Sequence, residues 1–171
     1  MGTANQDHVP LWRTLVMGHS LTRTIARACA LVLVAAIVFG YVLLPVRTQG
    51  VSMLPTYRSG ALILVNTLAY RWRLPERGDV VAIRMAGWRV MYIKRIIGLP
   101  GERIEVVGGR VLVDGRPLEE RYVRHRAAWM VPEALLGPDD YFVVGDNRGM
   151  AQEQHEFGTV PRERIVGRLL F

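Results

Sequence analysis

The chain contains a single cysteine among its 171 residues, and this scarcity excludes two kinds of structure. One thiol, Cys29, cannot form an intramolecular disulfide, and it cannot build a metal site from several cysteine ligands. The histidines His8, His19 and His125 show no spacing typical of metal ligands. We therefore expect a domain that is stabilised by a hydrophobic core.

The sequence also lacks a dense run of basic residues, although its formal net charge is +7. The arginines are scattered among apolar stretches, and this distribution argues against a nucleic-acid partner. Attraction to an anionic membrane surface explains the charge better. Neither an internal repeat nor a low-complexity tract is present. Outside a terminal tail and one apolar run, roughly 125 residues remain, which is enough for one domain.

One long uncharged run extends from Ala28 to Val46, between Arg27 and Arg47. As a helix it would span about 28 Å, which is close to the hydrocarbon thickness of a bilayer. A cleavable signal peptide is the alternative. The run, however, is longer than the apolar part of a typical signal peptide, and no small-residue cleavage pattern follows it. We predict a retained anchor with the lipid bilayer as its partner.

Arginines are unevenly distributed around this run, since Arg13, Arg23 and Arg27 precede it and only Arg47 follows closely. The positive-inside rule then predicts a single-pass protein of the cell (inner or plasma) membrane with a cytoplasmic N-terminus. The predicted organisation is a cytoplasmic tail over residues 1–26, a transmembrane helix over 27–46 and an extracytoplasmic domain over 47–171.

Beyond the apolar run, the sequence predicts a mostly β fold. Short apolar stretches alternate with Gly-rich turns, and Gly108-Gly109 between two of them is typical of a hairpin. The predicted strands are residues 61–66, 79–84, 90–97, 104–107, 110–113, 141–144 and 164–170. Residues 116–140 carry more charge and are predicted to form a loop or small excursion. This pattern is typical of a barrel or of packed sheets.

Lys94 lies inside an apolar stretch that is predicted to be a strand. Tyr92 and Ile96 share its face, while Ile93 and Ile97 lie on the other, so both faces are expected to be covered. Burial would lower the pKa of the lysine and make it a usable base near neutral pH. The alternative is a lysine on an edge strand whose ammonium reaches water.

Ser52 lies in a short turn between Gly50 and Pro55. A serine becomes a strong nucleophile when a base removes its proton, and a desolvated lysine can be that base. Gly50 permits close backbone approach, so that exposed backbone N–H groups beside the serine could hold an oxyanion. The alternative is an ordinary turn residue. Together with the preceding apolar run, these features suggest a membrane-anchored serine protease.

A third segment, Gly145-Asp146-Asn147-Arg148, follows the apolar stretch 141–144 directly. It could be an ordinary turn at the end of a strand. Alternatively, Asp146 could anchor the loop by accepting hydrogen bonds from backbone amides or from Arg148.

These three segments resemble the type I signal peptidases, which are membrane-bound Ser-Lys proteases. The matching boxes are Ser52-Met53-Leu54-Pro55-Thr56, the stretch from Lys94 to Glu102, and Gly145-Asp146-Asn147-Arg148 with the later Phe157-Gly158. The order and spacing of the boxes and the preceding anchor also agree, over roughly residues 45–168.

The resemblance implies a β-rich domain that cleaves signal peptides from exported preproteins with small residues before the cut. It implies Ser52 as the nucleophile and Lys94 as the general base, with neither a cofactor nor a metal. The other implied roles are an oxyanion hole at Ser52 and Gly50, substrate pockets at Met53, Tyr92 and Ile93, and support of the site by Asp146, Asn147 and Arg148.

The sequence departs from this family after Arg148. The family usually continues through a Ser-x-Asp-Ser-Arg pattern, whereas this chain has Ala151, Glu153 and His155 in the matching stretch. The family serine that binds the lysine is thus absent. A dedicated maturation protease for one substrate, such as a pilin or metalloenzyme precursor, and an inactive membrane-anchored binding module are the alternatives. A Ser52-His155-Asp146 triad is a rival scheme, but it leaves the Lys94 segment unexplained.

Overall fold

A computed structural model describes residues 21–86 and 90–170. The chain divides into two compact units, Met1–Tyr41 and Val42–Phe171. Most of the predicted cytoplasmic tail lies outside the described residues.

The described part of the first unit is an apolar helix. Helix α1 spans Leu21–Ile37 and continues as a π-helical turn over Val38–Val42. The 22 residues Leu21–Val42 are long and apolar enough to cross a membrane, and no residue of α1 is buried. This apolar helix suggests membrane anchoring.

The observed helix is shifted relative to the predicted span of residues 27–46. It begins earlier, because the long side chains of Arg23 and Arg27 can extend towards an interface while their backbone stays helical. It ends earlier, because Pro45 cannot donate a helical hydrogen bond and residues 43–47 form a strand instead.

The second unit consists of two antiparallel sheets. The larger sheet has seven strands in the order β1-β2-β11-β3-β4-β9-β10, and the smaller has four in the order β7-β6-β5-β8. The strands are β1 Leu43–Arg47, β2 Leu62–Asn66, β3 Val80–Ala86, β4 Val90–Gly98, β5 Arg103–Val107, β6 Arg110–Val113, β7 Arg116–Pro117, β8 Val131–Leu135, β9 Asp140–Val144, β10 Gly158–Pro161 and β11 Ile165–Leu170. The mostly β prediction is therefore confirmed.

The centre of the large sheet is covered on both faces. Val80 and Ala82 of β3 belong to one buried cluster, whereas the alternating Val81 and Ile83 belong to another. A third cluster, around Ile97, lies at the small sheet. Two-sided burial of this kind explains the nearly continuous apolar runs of β3 and β4.

Four strands were missed by sequence reasoning. The sequence places β1 in the predicted membrane helix and β7 and β8 in the excursion over residues 116–140, and it does not predict β10. All four are edge strands, and β7 has only two residues. Edge strands carry weaker apolar alternation because one side of them lacks a partner. β8, for example, is mostly exposed.

A steric prediction concerns Gly167, at the bulge where β11 pairs with β3. A Cβ at this position would lie 2.3 Å from the carbonyl oxygen of Asn66, which is backbone and cannot rotate away. We expect Gly167→Ala to lower the free energy of unfolding by about 1–3 kcal/mol. Urea unfolding of the detergent-solubilised chain measures this. Thr159→Ala, at an exposed position of β10, is the control, and equal effects of the two substitutions would contradict the prediction.

Candidate active site

Ser52 lies in the turn that joins β1 to β2, and its side chain is half-buried. Gly50 has a φ of 88°, which favours glycine, although a Cβ there would meet nothing within 4 Å. The glycine is thus required by the backbone conformation rather than by close packing. Within residues 21–86 and 90–170, neither the Oγ nor the N–H of Ser52 forms a hydrogen bond. Both groups are available to a substrate.

The serine opens onto a cleft of about 510 Å³ between β1 and β4. Gly50, Met53, Tyr92 and Ile93 all line this cleft, so four of the residues expected around the nucleophile are brought together. Lys94 lies elsewhere, at a smaller cavity of about 60 Å³ that also borders on Tyr92. Tyr92 is thus a lining residue of both cavities.

The β4 strand has an unpaired edge beside this cleft. β3 pairs with β4 along most of its length, but β9 pairs only with residues 95–98. Among the described strands, none pairs with Met91–Lys94 on the β9 side. An extended peptide could hydrogen-bond along this edge as an added strand.

Lys94 is 3% exposed and lies opposite Val81 in the strand register. Its Nζ is 5.9 Å from the centre of the Tyr92 ring, and it forms no hydrogen bond or ion pair with another described residue. Burial lowers the pKa of Lys94 from 10.5 to about 8, against an opposing effect of the Glu156 carboxylate. At pH 7 this makes the neutral amine roughly 300-fold more abundant than in a free lysine.

Lys94 is also the only lysine in the chain, and the other basic side chains are arginines. A guanidinium stays charged at any pH that a protein survives, whereas a lysine loses its proton readily when buried. The one side chain amine of this protein thus lies where burial favours its neutral form.

The segment after β9 holds the serine turn in place. The Asn147 amide donates to the Ser52 carbonyl oxygen at 2.9 Å, and Asn147 Nδ2 donates to the Val51 oxygen at 3.1 Å. Asp146 accepts from Arg95 at 2.8 and 2.6 Å and also from the Thr56 hydroxyl. The serine turn, the lysine strand and the loop after β9 are therefore joined at one carboxylate.

Arg148 faces a different partner than expected. Its guanidinium is buried, donates to the Gly145 oxygen at 2.8 Å and pairs with the buried Glu120 rather than with Asp146. The Tyr122 hydroxyl donates to Glu120 at 2.9 Å, and the ring of Tyr122 lies under Arg95.

Sequence reasoning missed Arg95, Glu120 and Tyr122 as parts of the site. A usable signal was present for Arg95, because an arginine within an apolar strand requires a buried carboxylate. Glu120 and Tyr122 lie in the charged excursion, where nothing in the pattern distinguished them from solvated residues.

The backbone brings Ser52 close to the lysine strand. Val144 pairs with Arg95, the residue after Lys94, and Gly145 directly follows Val144 in the chain. A Cβ on Gly145 would lie 2.2 Å from the Ser52 carbonyl oxygen. Within the described residues no hydrogen bond joins Ser52 Oγ to Lys94 Nζ. Catalytic hydrogen bonds are often long without substrate and tighten in the Michaelis complex.

The described contacts do not form the rival triad. Asp146 is engaged by Arg95 and Thr56, and the Nε2 of His155 accepts from the Gly145 amide at 2.9 Å. Burial, followed by the charges of Lys94 and Arg148, lowers the pKa of His155 to about 3. A ring with so low a pKa is a weak base near pH 7, and its Nε2 lone pair is already engaged by the Gly145 amide.

Residues 21–171 match the family model described as "Signal peptidase, peptidase S26". The chain belongs to this family. It is 37% identical over 125 residues to a signal peptidase I of Leptolyngbya laminosa, covering 68% of this chain and 62% of that relative. It is 37% identical over 123 residues to a probable signal peptidase I-2 of Synechocystis sp., covering 68% of this chain and 56% of that relative. The chain thus spans less than two thirds of the length of these two relatives.

Two further similarities have wider coverage of the relative. The chain is 32% identical over 135 residues to signal peptidase I V of Bacillus subtilis, covering 71% of this chain and 80% of that relative. Among solved structures, a signal peptidase I of Enterococcus faecalis V583 is 26% identical, with a TM-score of 0.44 over 57% of this chain and 98% of that chain. The predicted family is confirmed.

Because Lys94 is the only lysine, its protonation can be measured without assignment. We expect the carbon-13 signal of lysine labelled at Cε in the full chain to titrate with a midpoint near 8. The pKa is lowered on folding, so folding releases the proton and Lys94 makes the protein more stable as pH rises from about 8 to 10.5. The urea-unfolded chain is the control and should titrate near 10.5. A folded-state midpoint at that same value would contradict a desolvated amine.

Proposed function

We propose that the chain is a membrane-anchored serine endopeptidase that cleaves signal peptides from exported preproteins. Ser52 is the nucleophile and Lys94 is the general base. One observation supports this assignment above all: the serine turn packs against Gly145, and Gly145 follows Val144, which pairs with the residue next to the buried lysine. The Oγ and the N–H of Ser52 form no hydrogen bond with described residues.

The chemistry follows from these positions. The neutral Lys94 amine accepts the Ser52 hydroxyl proton as Oγ attacks the scissile carbonyl carbon. The Ser52 N–H, two residues after Gly50 in the same turn, donates to the oxyanion that forms. Collapse of the tetrahedral intermediate breaks the peptide bond, and the Lys94 ammonium gives its proton to the departing amine. Water then hydrolyses the acyl-enzyme with Lys94 again as the base.

The substrate lies as an extended strand along the free edge of β4. Successive substrate side chains point to opposite faces of this strand, and those on one face enter the cleft. Met53, Tyr92 and Ile93 line the cleft and contact these side chains. The relatives' names support exported preproteins as substrates. We assign small residues to the positions before the cut, and Asp146, Asn147 and Arg148 to holding the serine turn.

A dedicated protease for one precursor is the second candidate function. The exposed positions of Ala151 and Glu153 support it. These two residues belong to the stretch that differs from the family pattern, which borders the site, and neither side chain is part of a buried core. A panel of unrelated preproteins distinguishes the two functions, since a dedicated enzyme would cleave one of them only.

The dyad assignment predicts a loss of at least about 1,000-fold in cleavage for Ser52→Ala and for Lys94→Ala. Lys94→Arg should be equally inactive, because a guanidinium keeps its proton. The double variant should be little worse than either single one, since the two groups act as a unit. Turnover of a purified preprotein in detergent measures this.

Ser59→Ala, at an exposed serine of the same connection, is the matched control and should retain full activity. Near-normal cleavage by Lys94→Ala, together with loss in His155→Ala, would replace the lysine scheme with the histidine scheme.

The proposed orientation places the N-terminal tail in the cytoplasm and residues 47–171 outside it. Trypsin added to intact spheroplasts should therefore cut at the exposed Arg121 and Arg124 and spare residues 1–20. Lysed spheroplasts, in which both sides are accessible, are the control. A protected domain with a digested tail would reverse the orientation.

A further inference from the structure

His155 is a buried histidine that the proposed chemistry does not use. It directly follows the short 3₁₀ helix Gln152–Gln154, and its own N–H closes that turn on the Gln152 oxygen at 3.1 Å. The ring is 4% exposed and lies edge-on to Trp129 at 4.8 Å. Trp129 is fixed in turn, because its indole N–H donates to the Met150 oxygen at 2.8 Å.

The hydrogen bonding of the ring defines its tautomer. Nε2 accepts the Gly145 N–H, so this nitrogen carries the lone pair and the proton of the neutral ring lies on Nδ1. Nδ1 is buried and has no partner among the described residues. The ring is therefore held through Nε2 by the N–H of Gly145.

The supported glycine packs against the turn of the proposed nucleophile and directly follows Val144, which pairs with the neighbour of the proposed base. A Cβ on Gly145 would lie 2.2 Å from the Ser52 oxygen and 2.6 Å from His155 Nε2, so the serine carbonyl and the ring lie against the same side of this glycine. In the register of β9 with β4, Val144, directly before Gly145, pairs with Arg95, directly after Lys94. A shift of the ring would therefore move the serine turn relative to the lysine.

Burial and the nearby positive charges keep the ring neutral. Burial disfavours the imidazolium most, and the positive charges of Lys94 and Arg148 disfavour it further. Lys94 in turn is influenced by the Glu156 carboxylate, which is the acidic group acting on it. Protonated His155 would be a third cation beside protonated Lys94 and Arg148. The neutral ring adds no charge while Lys94 gains and loses its proton.

Resting on the proposed function, we propose that His155 is a positioning residue for the Ser52–Lys94 pair. Its neutral imidazole anchors Gly145 by one hydrogen bond and thereby fixes the serine turn against the lysine strand. The residues that directly follow His155, Glu156 to Gly158, line the cavity at Lys94, so the anchored ring also holds this wall of the cavity in place. The His155 ring, which belongs to the stretch that departs from the family pattern, orients the site but neither accepts nor donates the transferred proton.

The test compares two side chains of nearly equal shape. Gln in His155→Gln can present an acceptor oxygen where Nε2 lies, whereas Met in His155→Met cannot. We expect His155→Met to lower kcat on the order of 100-fold with little change in KM, because the reacting groups are displaced rather than removed. His155→Gln should recover most of this loss. His125→Met, at an exposed histidine, is the control and should match the unsubstituted chain.

The carbon-13 titration of the only lysine gives a readout that is independent of turnover. In His155→Met the midpoint should rise from about 8 towards 10.5, since water gains access to the amine, and in His155→Gln it should stay near 8. A His155→Met chain with unchanged kcat and an unchanged lysine midpoint would overturn the proposal, as would equal loss in the Gln and Met variants. Activity that survives Ser52→Ala would instead overturn the proposed function itself.

Discussion

The carboxylate of Asp146 is the interaction on which the site depends. Its side chain is fully buried, and it binds Arg95 of β4 and Thr56 of the serine turn at once. These residues come from segments that are far apart in the chain, so no local structure would bring them together. Removing the carboxylate would leave the Arg95 charge buried without a partner, which costs on the order of 3–5 kcal/mol. The Asn147 amide reaches the Ser52 carbonyl because its neighbour is fixed in this way.

Arg95 and Lys94, two adjacent basic residues of β4, have opposite electrostatic environments. Arg95 receives a carboxylate and the face of Tyr122, which stabilise a charge that it cannot lose. Lys94, one residue earlier, is buried and receives no ion pair within the described residues. The strand alternation sends the two side chains to different faces of the sheet. One strand thus provides both a permanent cation that organises the site and an amine whose neutral form is favoured.

The stretch from Gly145 to His155 joins these two faces. Arg148 reaches back to the Gly145 carbonyl oxygen, and His155 accepts the Gly145 N–H. The N–H and the carbonyl oxygen of the buried Gly145 are therefore both hydrogen-bonded by side chains from the same loop. Buried backbone groups require such partners. The packing also explains why position 145 is glycine, since any side chain would meet the Ser52 carbonyl.

The sequence by itself determined the apolar helix, the central strands β3 and β4 and the hairpin of β5 and β6, and its motifs are the source of the roles proposed for Ser52 and Lys94. These features depend on periodicity and on residue chemistry within short segments. Only the tertiary structure decided that residues 43–47 leave the helix to pair with β2, and that Arg148 binds Glu120 rather than Asp146. The same holds for the burial of His155 while Ala151 stays exposed. Asn147 and Val51, which are 96 residues apart in sequence, meet only after the sheets have packed. Desolvation and ion pairing depend on which distant segments become neighbours, and no local pattern encodes that.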